Sequence, residues 1–254
     1  MAYPEYMNYY AAVARGEVDA KFVHKFGNAP NVSTTAYPIW SDGGAYTYLT
    51  TAKYLKIGSD SALDVETTGT GARTVLIQGL DANYNMQEEQ VTFNGFTGVT
   101  TASQYIRLFR MIVNSAGTLG FNNGKVVAYP DQAGSTLTAA GVPTTTCNVQ
   151  AMLESTTNQT LMAIYTVPAS YTAYLISTYA SAAETNQVDL KLKVRPFGEV
   201  FQTKEHWHVY RNTDTMEHKI PVPIAAKSDV VLYAQSSATS VDVTGGFDLL
   251  LCKE

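Results

Sequence analysis

Two of the four histidines, His206 and His208, form an HxH pair inside the strand-like segment EVFQTKEHWHVYR. Alternate side chains of a β-strand share a face, so both imidazoles project from one face about 7 Å apart along the backbone. At that spacing two imidazoles can share a metal ion. His218 is the nearest third donor, but its parity places it on the apolar side of the next strand, away from the pair. We therefore interpret His206 and His208 as solvent-facing or interface histidines, with a metal site as the alternative.

Carboxylates offer two further kinds of chemistry. Asp60, Asp64 and Glu66 in SDSALDVE could cluster around calcium, but the glycine and the alternating ligand spacing of a calcium loop are missing. Paired carboxylates could hydrolyse a glycosidic bond, and such pairs need not be neighbours in sequence. The candidates occupy strand-face or turn positions that a solvated surface explains: Glu88, Glu89, Asp189, Glu199 and Glu205. We interpret the first set as polar loop residues and the second as a solvated surface.

Nucleotide and hydrolase motifs are absent from the sequence. The segment GTLGFNNGKV has the wrong glycine spacing for a phosphate loop and carries Val126 where a hydroxyl is needed. The GTG run at 69–71 precedes a strand rather than a helix, so it lacks the helix dipole of a dinucleotide site. The sequence contains neither GxSxG nor HExxH. We expect no enzymatic activity, no cofactor and no catalytic residues, and we keep His206 and His208 as the candidate metal ligands.

Composition excludes further classes of function. The chain has 17 Lys and Arg residues against 22 Asp and Glu residues, which gives a net charge of −5. It therefore lacks the excess of basic residues typical of proteins that bind nucleic acid or anionic membranes directly. Charged residues make up 15% of the 254 residues, well below the usual share of about 25%. No signal-peptide pattern or long apolar run occurs, so we expect a soluble protein. Cys147 and Cys252 lack metal or redox spacing, and their pairing stays open.

The N-terminal residues 1–44 are predicted to form a short helix and a docking arm. Residues 4–15 have helical spacing, and the segment 24–44 is rich in turn formers without a steady period. Aromatic and apolar side chains on such an arm need another surface, either the chain's own domain or a neighbouring subunit. The candidate interface residues are Tyr3, Tyr6, Tyr9, Tyr10, Phe22, Phe26, Tyr37, Ile39 and Trp40.

The rest of the chain is a series of strand signals separated by turns. Residues 73–79 and 87–93 alternate and flank the turn LDANYN, which predicts an antiparallel hairpin. Residues 105–113 are apolar on both faces apart from two arginines, which predicts a central strand. Residues 188–195 alternate apolar and charged residues, which predicts a strand with one buried face.

These patterns predict an all-β protein of antiparallel β-sandwich or jelly-roll-like domains, because helical crossovers between the strands are lacking. We expect a first β domain over 45–116, a linker or loop region over 117–154 and a C-terminal β-sandwich over 155–254.

Several segments resemble virion structural proteins of tailed bacteriophages, including phages of marine and cyanobacterial hosts. The resemblance rests on TGTGARTVLIQGLDANYNMQEEQVTFNG, VTTASQYIRLFRMIVNSAG, QTLMAIYTVPASYTAYLISTYAS, DLKLKVRPFGEVFQTKE and KSDVVLYAQSSATSVDVTGGFDLLL, over about residues 35–251. The pattern around YTVPASYTAYL has a Gly-Lys-like turn where this chain has Ser170 and Tyr171.

The resemblance implies a non-enzymatic component of the virion, assembled in the host cytoplasm. We expect a capsid decoration or cement protein attached through the N-terminal arm to the major capsid protein or other virion proteins. The alternatives are a neck, collar or tail component on the portal or adaptor, and a glycan-binding β-sandwich on the particle surface. The candidate glycan platform residues are Tyr171, Tyr174, Tyr179, Trp207 and Tyr210. Exposed sheet edges favour a closed homo-oligomer, and we expect a trimer.

Overall fold

The computed structural model describes residues 9–183, 186–238 and 240–253, and it is built almost entirely from antiparallel strands. No helix within these ranges is long and apolar enough to span a bilayer. The elements are α1 (Tyr9–Ala14), β1 (Ala20–Val32), β2 (Tyr37–Pro38), β3 (Lys53–Ser59), β4 (Ala72–Leu80), β5 (Met86–Thr92), β6 (Val99–Tyr105), β7 (Arg107–Ala116), β8 (Val126–Pro130), β9 (Ala151–Leu153), β10 (Ile164–Thr166), β11 (Tyr171–Ala182), β12 (Val188–Arg195), β13 (Gln202–Val209), β14 (Thr213–Ile224), β15 (Asp229–Ser236) and β16 (Val241–Lys253).

Eight of these strands form a jelly roll. One sheet has the order β1-β16-β11-β14 and the facing sheet the order β10-β15-β12-β13, while the short β2 adds to β15. Counted along the chain, the eight strands lie in the orders 1-8-3-6 and 2-7-4-5, the arrangement of a jelly roll. The predicted all-β sandwich class is therefore confirmed.

The jelly-roll core lies between these two sheets. The predicted alternation of residues 188–195 is confirmed, because Val188, Leu190, Leu192 and Val194 are buried in this core. Phe247 of β16 is fully buried among them. Alternation places the charged residues of β12 on the outer face of their sheet.

The strands β3 to β9, between Lys53 and Leu153, form a second β-sandwich inserted between the first and second strands of the jelly roll. Its sheets have the orders β6-β3-β8-β9 and β5-β4-β7, with a core that includes Leu55, Ile77 and Met111. The predicted hairpin is confirmed as β4 and β5, in which Val75 lies opposite Val91. The division of the chain differs from the predicted boundaries, because β8 and β9 of this sandwich lie within the expected linker region 117–154.

The prediction that residues 105–113 form a central strand is wrong. β7 is the last strand of the three-stranded sheet, and only an isolated bridge between Ile112 and Gln159 continues beyond it. Its two faces are apolar because it lies between the insertion and the jelly roll. Phe109 packs against the jelly-roll core, whereas Leu108 lies in the core of the insertion.

The predicted arm also differs from the structure. From Ala20 to Val32 the chain is an edge strand of the jelly roll, hydrogen-bonded along β16 with Ala20 opposite Cys252. Pro30 and Asn31, which gave this segment its loop-like composition, lie in a bulge outside the paired register.

A buried ion cluster joins the insertion to the jelly roll. The carboxylate of Asp229 on β15 accepts hydrogen bonds from Arg107 Nε of the insertion at 2.9 Å and from Arg195 Nε of β12 at 2.9 Å. Thr166 of β10 donates a third at 2.5 Å. The Tyr48 ring lies against both guanidinium groups, at 4.8 Å from Arg107 and 4.3 Å from Arg195. The single carboxylate is thus shared by the two guanidinium groups, and the Tyr48 ring adds a cation–π contact to each of them.

Candidate functional site

His206 and His208 lie on β13, the edge strand of the sheet β10-β15-β12-β13. Both imidazoles are exposed on the outer face, whereas Trp207 and Val209 between and after them are buried in the jelly-roll core. Their ring centroids lie 4.9 Å apart. The alternation predicted for this strand is what brings the two rings to the same face.

The neighbouring strand supplies a carboxylate to the pair. Asp189 of β12 lies directly opposite His208, and His208 Nδ1 lies 2.5 Å from Asp189 Oδ1. One ligand atom from each of Asp189, His206 and His208 lies within 4.8 Å of the other two. Gln187 donates a hydrogen bond from Nε2 to Asp189 Oδ1 at 3.1 Å. We name Asp189, His206 and His208 the Asp-His-His cluster.

The surroundings of Asp189 favour its charged form. Burial opposes ionisation, but hydrogen bonds from Gln187 and His208 and the charges of the two imidazoles outweigh it and hold the pKa of Asp189 below its ordinary value. At neutral pH the cluster therefore presents a carboxylate beside two imidazoles.

His218 lies apart from this cluster, as the sequence predicts. It contacts a carboxylate, however, rather than only the apolar side of its strand. Its Nε2 hydrogen-bonds the Oε1 atom of Glu205, and the other carboxylate oxygen of Glu205, Oε2, accepts a hydrogen bond from Thr178 at 2.6 Å. His218 thus links β14 to β13 within the jelly roll.

The second sequence candidate for metal binding is a loop anchor. The carboxylate of Asp64 is fully buried and accepts hydrogen bonds from Ser59 Oγ at 2.6 Å and from the backbone of Ala72 at 2.7 Å. It also accepts bonds from the backbone of Asn123 and Gly124, both at 2.9 Å. These four donors occupy the carboxylate, which supports the interpretation of this segment as polar loop.

The candidate interface residues of the N-terminal segment separate into three groups. Tyr3 and Tyr6 lie outside the described residues. Ile39 and Trp40 are buried in the chain's own cores, so for these two the intramolecular alternative holds. The exposed or half-buried members are Tyr9, Tyr10, Phe22, Phe26 and Tyr37.

Phe22 of β1 and the helix α1 lie together on the outer face of the sheet β1-β16-β11-β14. Phe26 shares this face with Phe22, because the two residues are four positions apart on β1. Tyr10 and Phe22 line a cleft of about 510 Å³ with Leu250 of β16. Half of each of these two aromatic side chains is exposed, 49% for Tyr10 and 52% for Phe22. We name Tyr9, Tyr10 and Phe22 the N-terminal aromatic patch.

A polar chain crosses the same sheet face. His24 Nδ1 lies 2.6 Å from Asp248 Oδ1, and Ser177 donates to the other oxygen of Asp248 at 2.7 Å. The ring of Tyr179 stacks on His24 with centroids 5.8 Å apart. Burial, together with the charge of Asp248, raises the pKa of Tyr179 to about 12, so this hydroxyl stays protonated at neutral pH. The three strands β1, β16 and β11 are thereby joined by side chains as well as by backbone.

The candidate glycan platform residues do not form one surface. Trp207 is buried in the jelly-roll core, and Tyr171 packs against the same core. Tyr174 and Tyr179 are half-buried on β11, while Tyr210 is 62% exposed after the end of β13.

Comparisons with known proteins give weak structural likenesses. No family model and no curated protein matches the chain. A solved structure of infectious bursal disease virus, Gt strain, is similar over 92% of this chain and 72% of its own, with 9% identity and a TM-score of 0.22. The VP2 subviral particle of the same virus is similar over 93% and 73%, with 10% identity and a TM-score of 0.22. Likeness at this level carries no argument about function.

Proposed function

We propose that this protein is a non-enzymatic structural component of a virus particle. The observation that carries the proposal is the complete eight-stranded jelly roll, an architecture that viral capsid proteins share with lectins and cupins. Because a fold hosts many functions, the resemblance of the sequence to virion proteins of tailed bacteriophages supplies the choice among them. The low content of charged residues also suits surfaces that are buried between subunits.

Within the particle, we propose a decoration or cement protein of a tailed-phage capsid. The structure shortens the segment available for attachment, because β1 belongs to the jelly roll. The docking element is then the N-terminal aromatic patch together with the residues that precede Tyr9. Its partner is the major capsid protein or another virion protein. A neck, collar or tail component is the alternative, and a trimer stays the expected state of assembly.

Copy number in purified particles distinguishes these positions. Quantitative mass spectrometry against the major capsid protein is expected to give hundreds of copies for a decoration protein, whereas about a dozen would assign the chain to the neck or tail. Absence of the chain from the particles would contradict a structural role.

Incorporation of point variants tests the docking element. Tyr10→Ala and Phe22→Ala remove exposed aromatic surface and are expected to reduce incorporation without unfolding the chain. Tyr210→Ala removes a somewhat more exposed aromatic side chain at another place and serves as the control. Equal incorporation of all three variants would rule out attachment through the patch.

Glycan binding remains the proposed alternative from another class, favoured by the exposed Tyr210 alone among the platform residues. Binding of the chain to a glycan array, abolished by Tyr210→Ala, would support it. A silent array together with tight binding to the capsid would exclude it.

A further inference from the structure

The Asp-His-His cluster has the composition of a transition-metal site. Two imidazoles and one carboxylate suit zinc, nickel or copper, whereas magnesium and calcium prefer sites made wholly of oxygen. Three protein ligands leave room for water in the remaining coordination positions. The chemistry of the donors therefore selects a divalent ion of the zinc type.

The backbone holds the three donors in place. Asp189 lies on β12, which is hydrogen-bonded to β13 on one side and to β15 on the other. His206 and His208 are two residues apart on β13, so their common direction follows from the pleat of the strand. Donors on paired strands are held more rigidly than donors on a loop.

Neighbouring groups complete the environment of the cluster. The hydrogen bond from Gln187 orients the carboxylate of Asp189, as the hydrogen-bond partners of metal ligands do. Lys191 lies opposite His206 on the same outer face, and its positive charge opposes the binding of a cation, so the three donors must outweigh this repulsion. Bound metal would replace the present contact between Asp189 and His208, with ligand distances of about 2.0–2.2 Å.

We propose that Asp189, His206 and His208 form a surface site for a divalent zinc-type ion, whose coordination is completed by water. The three donors converge on the outer face of β12 and β13 and are open to solvent, so an ion can enter without opening the fold. This site is independent of the proposed role in a particle, and it can be tested on the isolated chain.

Isothermal titration of the untagged full chain with zinc chloride tests the proposal, after removal of metal with a chelator. One zinc ion per chain is expected. His206→Ala, His208→Ala and Asp189→Ala are each expected to weaken binding more than tenfold. Gln187→Ala is expected to weaken it about tenfold, because the carboxylate of Asp189 loses the hydrogen bond that orients it.

His24→Ala is the matched control, because His24 is also half-exposed and also contacts a carboxylate, Asp248, but belongs to no group of three metal donors among the described residues. Its affinity for zinc is expected to equal that of the native chain. Zinc is also expected to raise the melting temperature of the native chain and of the control, but not of His206→Ala. Absence of zinc binding, or equal affinity in the native chain and in His206→Ala and His208→Ala, would overturn the proposal.

Discussion

At the scale of single residues, Asp229 is the position where we expect a substitution to destabilise the fold most. Its carboxylate is almost fully buried and forms ion pairs with two arginines, Arg107 of the insertion and Arg195 of the jelly roll. A buried ion pair contributes little net stability compared with well-packed apolar residues. Removal of one partner is nevertheless strongly destabilising, because it leaves the other charges buried without a counter-ion.

We expect Asp229→Ala to lower the free energy of unfolding by about 3–5 kcal/mol, because Arg107 and Arg195 lose their counter-ion. Urea denaturation followed by circular dichroism measures the change. Asp131→Ala removes the carboxylate of a more exposed pair with Lys56 and is expected to cost no more than about 1 kcal/mol. Equal effects of the two substitutions would show that the cluster does not hold the two parts together.

Lys25 makes the stability of the fold depend on pH. Its side-chain amino group is buried and donates a hydrogen bond from Nζ to the carbonyl oxygen of Phe109 at 2.5 Å. Burial, and to a lesser degree the charge of Arg110, lowers the pKa of Lys25 well below its ordinary value. In the window between this lowered pKa and the unfolded value of about 10.4, the unfolded chain binds the extra proton, so stability rises with pH.

Lys25→Met removes this titration. We expect the native chain to gain stability relative to Lys25→Met as the pH rises from 7 to 10, measured by urea denaturation at each pH. Lys21→Met, at an exposed position of the same strand, corrects for the loss of one positive charge. A constant difference between the native chain and Lys25→Met across this range would contradict the prediction.

At the scale of elements, the sheet β1-β16-β11-β14 depends on the two glycines of β16. A Cβ atom on Gly246 would lie 2.1 Å from the carbonyl oxygen of Lys25 and 2.4 Å from the hydroxyl of Tyr179. The ring of Tyr179 therefore covers the space that a side chain would fill, a known way of supporting glycine in a strand.

We expect Gly246→Ala to lower the free energy of unfolding by about 1–3 kcal/mol, since the backbone of β1 or the ring of Tyr179 must move. Thermal and urea denaturation measure the loss. Thr244→Ala, at an exposed position of the same strand, is the control and should change stability little. A Gly246→Ala variant as stable as this control would show that β1 and β16 are not held as closely as described.

Local patterns predict some elements well and others not at all. The alternation of residues 188–195 and the turn between β4 and β5 depend on residues that are adjacent in the sequence, so the sequence alone predicts them. β1 lacks such a pattern around Pro30 and Asn31, and its strand conformation depends on pairing with a segment more than two hundred residues later. Asp189 is missed as a partner of the histidines for the same reason. The sequence predicts which face of β12 carries Asp189, but it does not predict the register that places Asp189 opposite His208 on β13.

At the scale of the whole molecule, the jelly roll depends on residues at both ends of the chain. β1 contributes Ala29 and Val32 to the jelly-roll core, and β2 leads directly to the buried Ile39. The helix α1 instead lies on the outside of the sheet, where it buries Ala12 and Val13.

Two deletions separate these contributions. Removal of residues 1–18 is expected to leave a cooperatively unfolding protein with modestly lower stability, because β1 stays intact. Removal of residues 1–32 is expected to abolish cooperative unfolding, since β16 loses its partner strand and the core is opened. Near-ultraviolet circular dichroism during thermal denaturation distinguishes the two, and a cooperative transition in the longer deletion would contradict the assignment of β1 to the fold.

The position of the insertion has a consequence for synthesis on the ribosome. The insertion strands β3 to β9 are contiguous in sequence and can begin to fold as soon as they emerge, whereas Ala20 must wait for Cys252, which is made more than two hundred residues later. The jelly roll therefore closes only after β16 has emerged from the ribosome, with a large loop entropy and a slow folding rate. Until then the N-terminal segment has no partner strand, which gives the nascent chain an interval in which assembly with other chains competes with closure of its own sheet.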